Sequence, residues 1–219
     1  SEMQELAWHG AKVLKAEAVE LASSNQVAVS VGRSLGAPKS LVVPGEGEYV
    51  PKMPAVRGVA GRRDLFQVVV LPGPAGDSLR PELFDEVGRY DLVFGGRETD
   101  GTFHIFLSEE EMPDVAGVRR RLLQRFGDGL RVETDLGAVS LVGFGIGTRP
   151  GSLLEALGAL ARLEVPVLHV FTGREFLSFV IPAAWVDPAV RGLHAALIEK
   201  NVQPVHAEPA HPVVVLEER

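Results

Sequence analysis

The sequence predicts an α+β fold made of two ferredoxin-like modules, each in the order strand, helix, strand, strand, helix, strand. Two observations carry this. One pattern is written twice, with an offset of about 73 residues between "FQVVVL" (Phe66–Leu71) and "VSLVGF" (Val139–Phe144). Within each copy, helical and strand periodicities alternate in that βαββαβ order, with Gly/Pro turns between them.

Each copy opens on its strand. A turn follows, "PGPAGDS" in the first and "GIGTRPGS" in the second. Then comes a helix, "SLRPELFDEVGRY" or "SLLEALGALARLE"; in the second, Leu153, Leu157 and Leu160 share one face. Two strands come next, "DLVFGG" and "TFHIFLS" against "VPVLHVF" and "EFLSFVIP". The second helices are "VAGVRRRLLQRF", with Val115, Val118, Leu122 and Phe126 on one side, and "AVRGLHAALIEK", with Val190, Leu193 and Leu197. "GLRVET" and "QPVHAE" close the copies as short strands. The first module is expected over 65–136 and the second over 137–219. Helices on one face of each sheet would bury one core per module. "AVRGVA" (Ala55–Ala60) and "PVVVL" (Pro212–Leu216) are expected as extra edge strands, because open edges need cover.

Before the modules, "EMQELAWHGAKVLKAEAVELASS" reads as helical, with Gly10 a point where it divides, and "QVAVSV" (Gln26–Val31) as a strand. The Gly- and Pro-rich "GAPKSLVVPGEGEYVPKMP" reads as a linker or irregular crossing. Residues 1–45 thus form one segment and 46–64 a linker with an edge strand.

The totals narrow the function. With 219 residues and 46% apolar content, the chain can build real cores. A net charge of -7 argues against a nucleic-acid partner. No apolar run reaches the ~18 residues that span a bilayer, and no signal-peptide pattern opens the chain, so a cytoplasmic setting is expected. The absence of cysteine removes disulfides, thiolate metal sites and thiol catalysis. The chain opens on Ser1, which fits a piece of a longer protein.

"GFGIGTRPG" invites a phosphate-loop reading and fails it. Thr148 stands at the third glycine of a dinucleotide fingerprint, and no Gly-Lys-Ser/Thr follows for a Walker A loop. What stays open is a plain tight turn or a ligand turn, since free N–H groups at a helix start attract a carboxylate. His206 and His211 give no convincing metal pair, His169 reads as packed or surface, and Glu109–Glu111 suit the positive end of a helix dipole. Arg119–Arg121 read as a solvated helix face. No nucleophile with its base and no paired-carboxylate signature is legible, so no catalytic or metal residue is assigned.

Four stretches together resemble the aspartate kinases. "EMQELAWHGAKVLKAEAVELA" (Glu2–Ala22) looks like the last helical segment of their amino-acid kinase domain. "PAVRGVAGRRDLFQVVVL" is similar to the entry into their regulatory region. "VSLVGFGIGTRPGSLLEALGALARLEVPVLHVFTGREFLSFVIP" and "AVRGLHAALIE" resemble their second ACT module. The resemblance implies that residues 1–45 are the tail of an α/β kinase domain and that the two modules are regulatory ACT domains. It implies an enzyme that phosphorylates the side chain of aspartate with ATP, opening the route to lysine, threonine and methionine. It also implies that an end-product amino acid, lysine or threonine, binds at module interfaces. The family's catalytic strand and turn are absent here, so this chain alone is expected to be inactive and to hold no cofactor; ATP and Mg would belong to a complete kinase.

Carried over residue by residue, the effector-binding set is Gly76, Asp77, Ser78, Leu79 and Asp91 in the first module, and Thr148, Arg149, Pro150, Gly151 and Ser152 in the second. The effector's carboxylate would dock at the helix starts and its ammonium at Asp91 or Asp77. Pro150 and Gly151 match the family's Pro-Gly. Gly73 stands where an Asp is usual, and "TGRE" (Thr172–Glu175) departs from the usual "TSE". A homodimer through the ACT modules is expected. The alternative is an ACT-type dimerisation module whose effector site has degenerated.

Overall fold

The computed structural model describes residues 2–10, scattered positions between 18 and 42, and residues 56–110 and 112–199. Helix α1 (Glu2–Trp8) precedes a small antiparallel pair, β1 (Val29–Val31) and β2 (Ser40–Val42). The sequence places β1 but not β2, whose "SLV" is hidden among Gly and Pro. "QPVHAE" and "PVVVL" lie outside the described residues.

The remainder is one six-stranded antiparallel sheet with four helices. Its elements are β3 (Gly58–Val70), α2 (Pro74–Val87), β4 (Leu92–Arg97), β5 (Phe103–Ser108), α3 (Val115–Phe126), β6 (Leu130–Val142), α4 (Pro150–Arg162), β7 (His169–Thr172), β8 (Phe176–Pro182) and α5 (Val186–Leu197). The strand order is β4-β5-β3-β6-β8-β7. This is the α+β, ferredoxin-like arrangement, with one difference. Gly58–Ala60 of the expected edge strand "AVRGVA" and Phe66–Val70 of the module strand "FQVVVL" belong to one strand, β3. Its first part pairs with the second-module part of β6 (Gly58↔Val142 to Arg62↔Ala138), its last part with the first-module part (Val70↔Leu130).

Both helix pairs cover the same side of the sheet. Phe66, Val68 and Val70 pack beneath Leu83 and Val87 of α2 and Val118, Leu122 and Phe126 of α3. Val139, Leu141, Phe179 and Ile181 pack beneath Ala156 and Leu160 of α4 and Val186, Ala189, Leu193 and Leu197 of α5. A third core fills the opposite side: Leu65, Phe94, Phe106, Leu136, Ala138 and Val180. The Phe94 ring stacks on Phe171 with centroids 4.6 Å apart and planes 2° from parallel, although β4 and β7 are the two outer strands. The sheet is therefore folded over, with the open face of one module against that of the other. Coverage on both sides explains the unbroken burial of Leu65–Val70, where an open sheet would alternate.

The fold-over happens where the ladder is irregular. The β3–β6 register shifts between Arg62 and Gln67, and Asp135 adopts a left-handed φ of 62°. Such irregularities bend and twist a strand pair. A polar clasp holds the bend. Arg62 Nη2 donates to Asp64 Oδ2 (2.7 Å) and to Ser108 Oγ (2.8 Å), and Ser108 Oγ donates to Asp64 Oδ2 (2.6 Å). Burial pushes the Asp64 carboxyl up, but the Arg62 and Ser108 hydrogen bonds and the Arg62 charge outweigh it and hold it below its ordinary range.

Helix α1 is keyed onto this ribbon. A Cβ at Gly10 (φ 104°) would come within 2.8 Å of Gly61 O, so only glycine fits the turn that ends α1. His9 is buried. Its Nδ1 lies 3.1 Å from Ser140 Oγ and 3.3 Å from Ser178 Oγ, and its ring packs on Phe176. Burial, aided by the Arg62 charge, lowers its pKa to about 4.

Candidate functional site

The second-module turn is built by close backbone approach. Gly145 takes a left-handed φ of 69°, buried Ile146 anchors the turn, and Thr148 Oγ1 donates to Gly145 O (2.7 Å). A Cβ on Gly147 would overlap the Gly173 carbonyl. Gly143 N donates to Glu175 O (2.9 Å), and the Arg174 guanidinium covers the Phe144 ring at 5.4 Å. The "GIGT" and "TGRE" turns thus form one unit.

That unit delivers the chain to α4 at an open helix start. Arg149 is extended (φ −124°, ψ 125°) and makes no side-chain cap. Pro150 takes the first helical position, where its missing N–H costs nothing. The first-turn N–H groups that follow, from Gly151 and Ser152 on, have no carbonyl before them within the helix. Thr148, Arg149, Pro150 and Gly151 are exposed, and beyond the flanking residues and the helix's own nearby backbone no described atom lies within 4 Å of a Cβ built on Gly151. The structure therefore gathers the five second-module candidates around a space that can take a carboxylate.

The first-module candidates fall differently. Helix α2 begins at Pro74, four residues before the helix expected from the sequence, because proline at the first position starts a helix rather than extending the turn. Gly76 and Asp77 lie in its first turn. Ser78 and Leu79 lie in the second, where helix geometry commits their N–H groups to the ladder. Asp91 is exposed, and its carbonyl accepts from Ser108 N (2.9 Å). It sits before Leu92, which pairs with Leu107, while α2 starts beyond Val70, which pairs with Phe103. The two are separated by the length of the sheet, about 20 Å. Asp91 is not placed to hold the ammonium of a ligand whose carboxylate rests at the start of α2. Nor do the modules pool their turns: α2 follows the Val70↔Leu130 end of the β3–β6 ribbon and α4 the Gly58↔Val142 end.

Sequence reasoning missed a polar seam between the modules. Gln67 Nε2 donates to His104 Nδ1 (2.9 Å) and lies 3.3 Å from His169 Nε2, while His104 Nε2 donates to Glu98 Oε1 (2.9 Å). Burial lowers the His169 pKa, and His104 adds to this. The alternation around His169 signals packing but cannot say against what. Likewise the positive end of α3 is capped by Asp114, which accepts from Gly117 N (2.8 Å). Among the described residues no cluster could hold a metal ion, and no helix is long and apolar enough to cross a membrane.

No protein-family model matches the sequence. Curated relatives do match, among them a Corynebacterium glutamicum protein 32% identical over 88% of this chain and a Pseudomonas aeruginosa protein 28% identical over 89%. The relatives are aspartokinases. The chain spans about half the length of those it matches (48–49%). Solved structures agree in fold. Escherichia coli aspartokinase III in complex with lysine and aspartate superposes with a TM-score of 0.67 at 22% identity, covering 90% of this chain and 45% of that one. The ligand-free regulatory subunit of Thermus thermophilus aspartate kinase gives 0.54 at 20% identity, over 65% of this chain and 98% of that one. The aspartokinase-like chain thus has the ACT-type fold of these regulatory regions.

Proposed function

We propose that this chain is the regulatory region of an aspartokinase and that it binds an end-product amino acid, lysine or threonine, as a feedback signal. The full enzyme would transfer phosphate from ATP to the side-chain carboxylate of L-aspartate, in the cytoplasm, with ATP and Mg held by a kinase domain. The observation that carries this reading is the uncapped start of α4, open at Arg149–Ser152, in a fold shared with a regulatory subunit. The aspartokinase III structure that contains lysine supports the ligand class. The effector's carboxylate would rest on the Gly151 and Ser152 N–H groups. Because α2 and α4 start at opposite ends of the β3–β6 ribbon, a second copy would supply the rest of the site, consistent with a homodimer. Effector binding to one bend or pairing of the modules would then shift the kinase between states.

A second reading rests on the first module. Ser78 and Leu79 are locked in the helical ladder and Asp91 is remote, which favours an ACT pair used for assembly with at most one working turn. Titrating the purified chain with lysine and with threonine, following Tm and mass in solution, tests both. Stabilisation by one of them that Arg149→Ala weakens supports the effector reading. A dimer unmoved by either supports assembly alone.

A further inference from the structure

The joint between the modules carries a cavity of about 840 Å³ that lies away from both helix starts. That is a size suited to a small molecule. One wall is the outer face of α3, where Arg119, Arg120 and Leu123 turn away from the buried Val118, Leu122 and Phe126. The other wall is the bend of the sheet, with Arg63, Glu109 and Asp135. Ala183, which follows β8, brings in the second module. Arg63 is engaged by Asp187 of α5, whereas Arg119 and Arg120 stand on the exposed face of α3. Burial raises the Glu109 carboxyl, and Asp64 and Asp135 add to it, so two neighbouring acids, Glu109 and Asp135, line the same cavity as the arginines. Asp135 holds its left-handed φ of 62° in this wall, a conformation that persists only where the surroundings enforce it.

We propose that this cavity is a binding site for a small linear zwitterion. Its acid end would meet Arg119 and Arg120, its amine end Glu109 and Asp135, and its methylene body Leu123. An anion alone would face the two carboxylates, and a cation alone the guanidiniums; a zwitterion pairs both, which removing charges from water requires. Since its walls come from both modules, an occupant favours one setting of the bend over others. The site is independent of the effector turns.

The test is a thermal-shift titration of the 219-residue chain with β-alanine, 4-aminobutyrate and 6-aminohexanoate. Sodium sulfate and putrescine at matched ionic strength serve as single-charge probes. At least one ω-amino acid is expected to raise Tm with the logarithm of its concentration, and neither single-charge probe to do so. Arg120→Gln and Glu109→Gln, checked for folding by circular dichroism, should each weaken binding about tenfold or more. Asp135→Gly should raise Tm without ligand, by relieving the backbone, yet reduce the ligand's shift. Arg149→Ala, at the start of α4, should leave the shift intact. No shift with any ω-amino acid, an equal shift with sulfate or putrescine, or a shift that survives both charge substitutions overturns the proposal.

Discussion

The folded-over sheet makes a prediction that a flat one does not. In a flat six-stranded sheet, β4 and β7 would lie five strand spacings apart, about 24 Å. Here Phe94 on β4 and Phe171 on β7 stack at 4.6 Å, with the Phe106 ring edge-on to both. Phe94 is 6% exposed, so Phe94→Ala removes a buried ring and should cost about 3–4 kcal/mol. Phe171 is half-buried, and Phe171→Ala should cost about 2 kcal/mol. If the rings stack, the double variant should lose about 1 kcal/mol less than the sum, the share that belongs to the pair. Urea unfolding of the four proteins, followed by circular dichroism and analysed by linear extrapolation, measures this. Additivity within about 0.5 kcal/mol would refute the closure, because that is how distant, independent sites behave.

Four further outcomes follow from particular contacts. His9 is held neutral, with its pKa lowered from 6.5 to about 4, so the unfolded chain binds a proton the folded one refuses. Stability is then full above pH 6.5 and falls as pH drops toward 4, by at most about 3 kcal/mol; Tm against pH should show this window, and His9→Gln should flatten it. Asp64 is also shifted downward, but because its charged form is the one held: its contribution is present above pH 3.8 and is lost as pH falls further, through its depressed pKa, so Asp64→Asn should leave the His9 window in place. Gly147→Ala forces a methyl into the Gly173 carbonyl and should destabilise by about 2–3 kcal/mol in urea unfolding, whereas a neutral result would mean the two turns do not touch. Asp114→Ala removes the cap of α3 and should cost about 1 kcal/mol by the same assay, with Asp114→Asn restoring most of it.

Much of this fold is legible in the sequence because periodicity reports burial. The "VAGVRRRLLQRF" segment repeats its apolar residues at helical spacing, and α3 occupies those residues. Among the described residues, the strands of both modules appear where apolar runs stand between Gly and Pro. What escapes is settled by tertiary pairing. "GRRD" looks like an interruption, yet β3 runs through it because Arg62 is paired with Asp64 and hydrogen-bonded to Ser108, and Arg63 is paired with Asp187. Pro74 reads as turn chemistry but sits at the first position of α2, which moves Gly76 and Asp77 from a loop into a helix. The polar residues Gln67, Ser140 and Ser178 sit inside apolar strands, and nothing in the sequence says that His104, His169 and His9 will meet them. Hence Pro150 and Gly151 mark the start of α4 in the sequence, while the separation of Asp91 from α2 becomes visible only with strand register.

The most direct test of the central claim is calorimetric titration of the purified chain with lysine and with threonine, repeated on Arg149→Ala. Saturable binding of one of them to the wild-type chain, weakened in the variant, is the expected result. Binding unchanged in Arg149→Ala would remove the start of α4 from the site, and no heat with either amino acid, from a folded dimer, would contradict the regulatory reading.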